Sequence, residues 1–192
     1  MLDSIYLTMS PLILGGITNI VFTKTKLYQS RKAPIDGGRC MKDGRRIFGD
    51  NKTLIGFVSM IVFCTCYQLL CGLLCNHLGL NEINDLYSIH PNTFGLNLLF
   101  GVLVGITYML FELPNSFIKR RLGIGSGKQG NGAVGILFFV IDQIDSLIGV
   151  FFVLWLFSDI GAIGYFTYLI VGAFTHIAIN VVLRLFKLRK SL

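Results

Sequence analysis

The sequence predicts an all-α, polytopic membrane protein with five transmembrane helices, the N-terminus outside and the C-terminus cytosolic. Three observations carry this. Hydrophobic residues make up 53% of the 192 and charged residues only 14%, with a mean hydropathy of +0.68; a soluble domain is nearer a quarter charged. The apolar residues gather in five runs, at about 4–22, 54–74, 94–111, 133–157 and 164–186. Each approaches or exceeds the roughly 20 residues a helix needs to cross hydrocarbon, and lipid-exposed backbone must satisfy itself, which favours helix over a lone strand. Finally, the 17 Lys and Arg are segregated: nine lie in 23–53, four in 112–132 and four from Arg184 onward, with none in 75–93 or 158–163. Five spans put all three basic segments on one side, which the positive-inside rule makes cytosolic, whereas an even number would break the segregation. The whole of 1–192 is expected to form one integral membrane domain with cytosolic loops at 23–53 and 112–132, in the cell membrane.

The first run has an acid, Asp3, where a signal peptide carries bases, and its positive charges begin only at Lys24, so it is expected to be a retained span. The stretch that follows, Pro34–Phe57, mixes Asp36, Asp43 and Asp50 with Arg39, Arg45, Arg46 and Lys52, punctuated by glycines. Basic loops beside a bilayer can serve topology and headgroup attraction alone. Interleaved acids and glycines fit a loop whose backbone N–H groups approach an anionic ligand. In the second run Cys64, Cys71 and Cys75 share a helical face, and Cys66 and Cys40 complete a set with neither zinc spacing nor a disulfide framework; they read as packing residues. In the third run Gly101 and Gly105 form a small-xxx-small pair for close helix contact.

The fourth run contains the sharpest anomaly, Asp142 and Asp145 on one helical face with Gln143 alongside. A carboxylate at mid-span costs about 2.5–3.5 kcal/mol, and two side by side also repel, so the pair requires a cation or basic partners. Two hard oxygen ligands suit Mg²⁺, which completes its shell with water and substrate phosphates. The segment just before the run offers Lys119, Arg120 and Arg121 and then a Gly-rich turn, a fit for a nucleoside triphosphate held through Mg²⁺. The local strings Gly44–Thr53 and Gly123–Lys128 are not phosphate-binding P-loops, since neither follows a strand. Asn19, Asn97, His176 and Asn180 are expected to point into the bundle, as structural hydrogen-bonding groups or, for His176, as a site-lining group.

PIDGG (Pro34–Gly38), DGRRIFGDNKTLIGF (Asp43–Phe57), FIKRRLGI (Phe117–Ile124) and IDQID (Ile141–Asp145), in this order and with five spans, resemble the CDP-archaeol synthase family, small relatives of the CDP-diacylglycerol synthases. The resemblance covers nearly the whole chain. It implies transfer of CMP from CTP to a lipid phosphate of archaeol or phosphatidic-acid type, with Mg²⁺ and release of pyrophosphate. It implies further that Asp142 and Asp145 hold the metal and, with Lys52, Lys119 and Arg120, form the catalytic set. Asn19, Asp36, Asp43, Arg45, Arg46, Lys52, Thr53, Lys119, Arg120 and Arg121 would line the nucleotide or lipid-phosphate pocket. CTP and the lipid are the expected partners, with no nucleic acid; the oligomeric state is left open, a homodimer included. The competing reading from another class is a transporter or ion-coupled carrier using Asp142 and Asp145 as a cation site; absence of a visible inverted repeat and concentration of charge at one face argue against it.

Overall fold

The computed structural model describes residues 1–128 and 130–186; the predicted basic cluster at Lys187, Arg189 and Lys190 lies outside the described residues. Its elements are α1 (Leu2–Phe22), α2 (Lys26–Arg31), α3 (Leu54–Leu78), a 3₁₀ turn (Asp85–Tyr87), α4 (Phe94–Arg121), α5 (Gly132–Phe157) and α6 (Gly161–Leu185). Five of these helices, all but α2, are long and apolar enough to cross a membrane, and the described residues contain no strand, only isolated bridges between Pro34 and Thr53 and between Cys40 and Arg46. The chain is therefore an all-helical protein with five candidate spans.

Three starts are capped by threonine hydroxyls: Thr25 accepts from Tyr28 N, Thr53 from Gly56 N and Thr93 from Leu96 N. Gly79, at φ 69°, ends α3 in the left-handed conformation that only glycine adopts cheaply. The helices pack in a chain of neighbours, α1 on α3, α3 on α4, α4 on α5 and α5 on α6. The α3–α4 contact uses the predicted small pair. A Cβ on Gly101 would stand 2.7 Å from Thr65 Cα, and one on Gly105 2.5 Å from Ile61 Cα, so any larger residue would drive the backbones apart. Met60, Cys64, Phe100, Phe151, Leu154 and Tyr168 fill the middle of the bundle. Cys64, Cys71 and Cys75 are buried as free thiols while Cys66 faces outward, in line with their helical phase.

The principal difference from expectation is the length of α4. The sequence placed a loop at 112–132, but the helix runs on to Arg121 through Pro114. Proline removes one backbone hydrogen bond and kinks a helix, yet membrane helices tolerate it where neighbours re-satisfy the freed carbonyl. The terminal Lys119–Arg120–Arg121 triplet favours the extension, since cations stabilise the negative end of the helix dipole. The consequence is functional. Glu112, Asn115, Ser116 and Lys119 become one helical face, with spacing i, i+3, i+4 and i+7, rather than positions on a flexible loop.

Candidate active site

At the end of the bundle that carries the basic loops, α1, α3, α4 and α5 enclose a cavity of about 690 Å³ that the loops before α3 and α5 close over. Asp142, the eleventh residue of α5, lies about 15 Å along that helix. Asp142 and Asp145 do not stand alone. Asn115 of α4 donates its Nδ2 to Asp142 Oδ1 at 2.7 Å and to Asp145 Oδ2 at 2.6 Å, clamping the two carboxylates together. Lys119, one helical turn further, places its Nζ 2.5 Å from both oxygens of Asp142. A second ion pair joins Lys52, just ahead of α3, to Glu112 of α4. Arg120 is buried at 9% exposure; its Nη1 is 3.4 Å from Ser126 Oγ and its Nε 3.4 Å from Ser116 O, and among the described residues no carboxylate pairs with it. The cavity lining carries three acids, Glu112, Asp142 and Asp145, against five bases, Lys24, Lys52, Lys119, Arg120 and Lys128.

The predicted residues separate into two groups. Asn19, Lys52, Thr53, Lys119, Arg120, Asp142 and Asp145 line the cavity, with Asn19 Oδ1 accepting from Ser59 Oγ at 2.6 Å and the Thr53 hydroxyl bonded to Tyr28 OH at 2.8 Å. Asp36, Asp43, Arg45, Arg46 and Arg121, expected in the same pocket, lie outside its lining and build the wall behind it. The Asp36 side chain is fully covered and accepts backbone N–H bonds from Gly38, Phe48 and Gly49 at 2.9–3.0 Å, along with the Arg46 guanidinium at 2.5 Å. Burial alone would raise its pKa; the Arg46 partner and the three backbone donors outweigh that and hold the carboxyl far below the usual range. The same pairing, with Asp50 as a second acceptor at 2.6 Å, raises the pKa of Arg46. Arg121 grips both oxygens of Asp43 at 2.7 and 2.9 Å and donates to the backbone carbonyls of Arg45 and Arg46, while Arg45 donates back to the Arg121 carbonyl. The Asp43 carboxyl is pulled down chiefly by the Arg45 backbone N–H, against slight desolvation, with help from Arg121. These groups are spent on each other because a loop without secondary structure needs side-chain bonds to hold its shape.

Sequence reasoning missed Glu112 and Asn115. Their signal was the i, i+3, i+7 spacing to Lys119, hidden by ending the third span at Phe111, where the apolar run stops. His176 does line the cavity and also approaches Gln143 O at 3.4 Å, and Asn180 donates to Gln143 Oε1 at 3.2 Å. Around the Asp142–Asp145 pair, Asn115 Oδ1 and Ser146 Oγ are buried and bond to nothing among the described residues. Two carboxylates and an uncommitted amide oxygen form a hard donor set that fits a divalent cation such as Mg²⁺. Among the described residues no three His, Cys, Asp or Glu side chains converge, so the protein would supply only part of a coordination shell, as is usual for Mg²⁺ bound together with substrate phosphates.

Comparison with known proteins identifies the family. Residues 1–191 match the family model described as CarS-like, CDP-archaeol synthase. The chain is 34% identical over 161 residues to a CDP-archaeol synthase of Methanococcoides burtonii, covering 78% of this chain and 83% of that one. It is 31% identical over 162 residues, with the same coverages, to a CDP-archaeol synthase of Methanosarcina acetivorans. Its fold is similar to a solved structure described as an intramembrane enzyme for archaeal membrane lipids biosynthesis, with TM-score 0.61 over 92% of each chain at 21% identity. A family match over essentially the whole length and relatives above 30% identity settle the membership: the chain belongs to the CDP-archaeol synthase family, and the expected enzyme class, a CTP-dependent lipid cytidylyltransferase, stands with it in place of the carrier alternative.

Proposed function

We propose that the cavity between α3, α4 and α5 transfers CMP from CTP to the phosphate of a membrane lipid, of the archaeol type named for the relatives, yielding a CDP-lipid and pyrophosphate. The observation that carries this is the buried, carboxylate-free Arg120 guanidinium facing the same cavity as the clamped Asp142–Asp145 pair. A buried guanidinium that no carboxylate contacts, with Asp50 acting on it only from a distance, is costly, and a phosphate relieves the cost. Asp142 and Asp145, oriented by Asn115, would hold Mg²⁺. When bound, the cation supplies charge neutralisation on phosphate oxygens.

Around it the chain's own residues position the reactants. Arg120, Lys119 and Lys52 hold the triphosphate so that an oxygen of the lipid phosphate lies in line with the bond to be broken. That oxygen attacks the α-phosphorus, the bond from the α-phosphorus to the pyrophosphate oxygen breaks, and the same cations stabilise the charge that collects on the departing pyrophosphate. A phosphate monoester is already ionised near neutral pH, so no general base is needed. Asp36, Asp43, Arg45, Arg46 and Arg121 keep the wall in shape. The lipid's chains reach the site through an apolar groove between α1 and α6, lined by Ile13, Ile17, Gly172 and Ile179, which meets the polar cavity at Gly16, Ile20, Tyr108 and His176. The reaction takes place on the cytosolic face of the cell membrane, as the segregation of basic loops supports.

The test is incorporation of label from CTP into lipid by purified protein supplied with archaeol-type and diacyl lipid phosphates in separate reactions. Mg²⁺-dependent labelling, strongest with the isoprenoid lipid and lost in Asp142→Asn that remains folded, is expected. Full activity in Asp142→Asn would overturn the site, and preference for the diacyl lipid would overturn the substrate.

A further inference from the structure

The cavity's acids and bases already satisfy one another. Both oxygens of Asp142 are taken by the Lys119 ammonium at 2.5 Å, and Lys52 is taken by Glu112. Yet in the proposed reaction Asp142 must face a divalent cation and both lysines must face phosphate. Asp142 Oδ1 already accepts from both Asn115 and Lys119, and an ammonium 2.5 Å from both carboxylate oxygens stands where a chelated metal ion would and repels it, while each ammonium proton given to a carboxylate is withheld from a triphosphate. Breaking such a pair by removing one partner is strongly unfavourable unless each half finds a replacement. Asp142 is prepared for the exchange: Asn115 Nδ2 keeps it tied to Asp145 whether or not Lys119 is present. Asn115 is itself buried, and its Oδ1 bonds to nothing among the described residues, so the clamp carries an acceptor still free for a ligand.

Resting on the cytidylyltransferase reading, we infer that the ligand-free site is held shut by its own ion pairs, Lys119–Asp142 and Lys52–Glu112, so that a divalent cation and a nucleoside triphosphate bind as positively coupled ligands. Each makes the other's site available: with the cation present Asp142 releases Lys119 to the phosphates, and with the phosphates present Lys119 and Lys52 leave the carboxylates. Glu112 is a positioning residue in this scheme. It acts through Lys52, holding that side chain against α4 until a triphosphate competes for it, and it deters triphosphates that arrive without a cation.

The experiment is equilibrium binding of CTP to the full-length protein in detergent, without lipid phosphate so that no turnover occurs, in EDTA and in Mg²⁺. For the unaltered chain Mg²⁺ is expected to tighten CTP binding by roughly tenfold or more, within the usual span of coupling between sites. In Glu112→Gln the released Lys52 should make binding in EDTA several-fold tighter while the gain from Mg²⁺ shrinks. Asp142→Asn, which keeps the side-chain shape beside Asn115, should likewise bind CTP more tightly in EDTA and lose the Mg²⁺ gain. Both variants are to be matched with the parent by thermal unfolding. A purely structural role for the pairs predicts the opposite sign: metal-free affinity unchanged or weaker in both variants would overturn the inference while leaving the proposed reaction standing. An unaltered chain that binds CTP in neither buffer would overturn the reading beneath it.

Discussion

The two ends of the helix bundle each bury a cluster of polar side chains, and they treat it differently. At the end away from the basic loops, Asn97 has no spare capacity: its Oδ1 accepts from Gln68 at 2.8 Å and Tyr87 at 2.7 Å, and its Nδ2 donates to Asn92 at 2.7 Å and the Thr93 carbonyl at 2.8 Å. Nearby Asn84 is equally engaged, with Thr8, Leu86 N and the thiols of Cys71 and Cys75, while Asp85 accepts from Tyr168 at 2.6 Å. At the basic-loop end Asn115 Oδ1 is idle, no carboxylate contacts Arg120, and Asp142 and Glu112 are bound to lysines that a phosphate would claim. Polarity inside a span therefore does not by itself mark a site. A fully satisfied network ties the helices and loop together, whereas a network with uncommitted atoms is arranged for something that is not protein.

The largest effect that would break this contrast lies at Arg120. Removing one preorganised charge donor from a developing anion costs about 10²–10³ in rate, and Arg120→Gln should lower CTP incorporation by that order with no loss of thermal stability. A variant as active as the parent would mean that the lone guanidinium serves the fold.

Asp36 sharpens the comparison from within the basic-loop end, because there it is satisfied completely and should behave like the opposite end. Its depressed pKa fixes the sign of the pH dependence. A carboxyl lowered in the folded state contributes stability that is fully present above its unfolded pKa of about 3.9 and is lost as pH falls below that value toward the folded pKa. The wall at 32–53 should accordingly be insensitive to pH from 8 down to about 5 and open only in stronger acid. Asp36→Asn should reproduce the opened wall at pH 7, raising trypsin cleavage at Arg39 or Arg45 on the order of tenfold, equivalent to about 1.4 kcal/mol of local stability. Cleavage no faster than in the parent would remove Asp36 as the anchor.

Much of this was legible in the sequence, and the reasons for the rest are physical. Five spans follow from composition and length, and Asp142 and Asp145 announce themselves because charge is rare in hydrocarbon. The division of the basic-loop residues was hidden. Nothing in the order of residues tells that Asp43 spends itself on Arg121 and Asp36 on Arg46, while Lys52 and Arg120 face the cavity; only the loop's path around Gly49 against Ser126 decides which side chains turn inward. Asn115 was invisible for another reason. The apolar run stops at Phe111, so hydropathy ends the span there, whereas the helix continues to Arg121 packed against α5.

At the satisfied end, Asn97→Ala removes the acceptor that Gln68 and Tyr87 share and the donor to Asn92 and the Thr93 carbonyl. Each buried group left without a partner costs about 1–3 kcal/mol, so the thermal midpoint should drop clearly. Turnover per folded molecule should hold, since Asn97 lies at the other end of α4 from Lys119. Loss of turnover at full stability would erase the distinction between the two ends.

The last effect concerns the proposed lipid route, where the groove between α1 and α6 joins the cavity. A Cβ at Gly16 meets nothing within 4 Å, so the position has room and Gly16→Ala should be silent. Gly16→Phe would put a ring across the junction and displace two or three methylenes of a lipid chain. At roughly 0.8 kcal/mol per buried methylene this amounts to about 2 kcal/mol, or a rise in KM for the lipid phosphate on the order of thirtyfold. The KM for CTP should not move, because the nucleotide contacts proposed for Lys52, Lys119 and Arg120 lie on α4 and the α3 approach. Equal rises in both constants would show that Gly16 shapes the whole cavity, and a change in neither would send the lipid in by a different path.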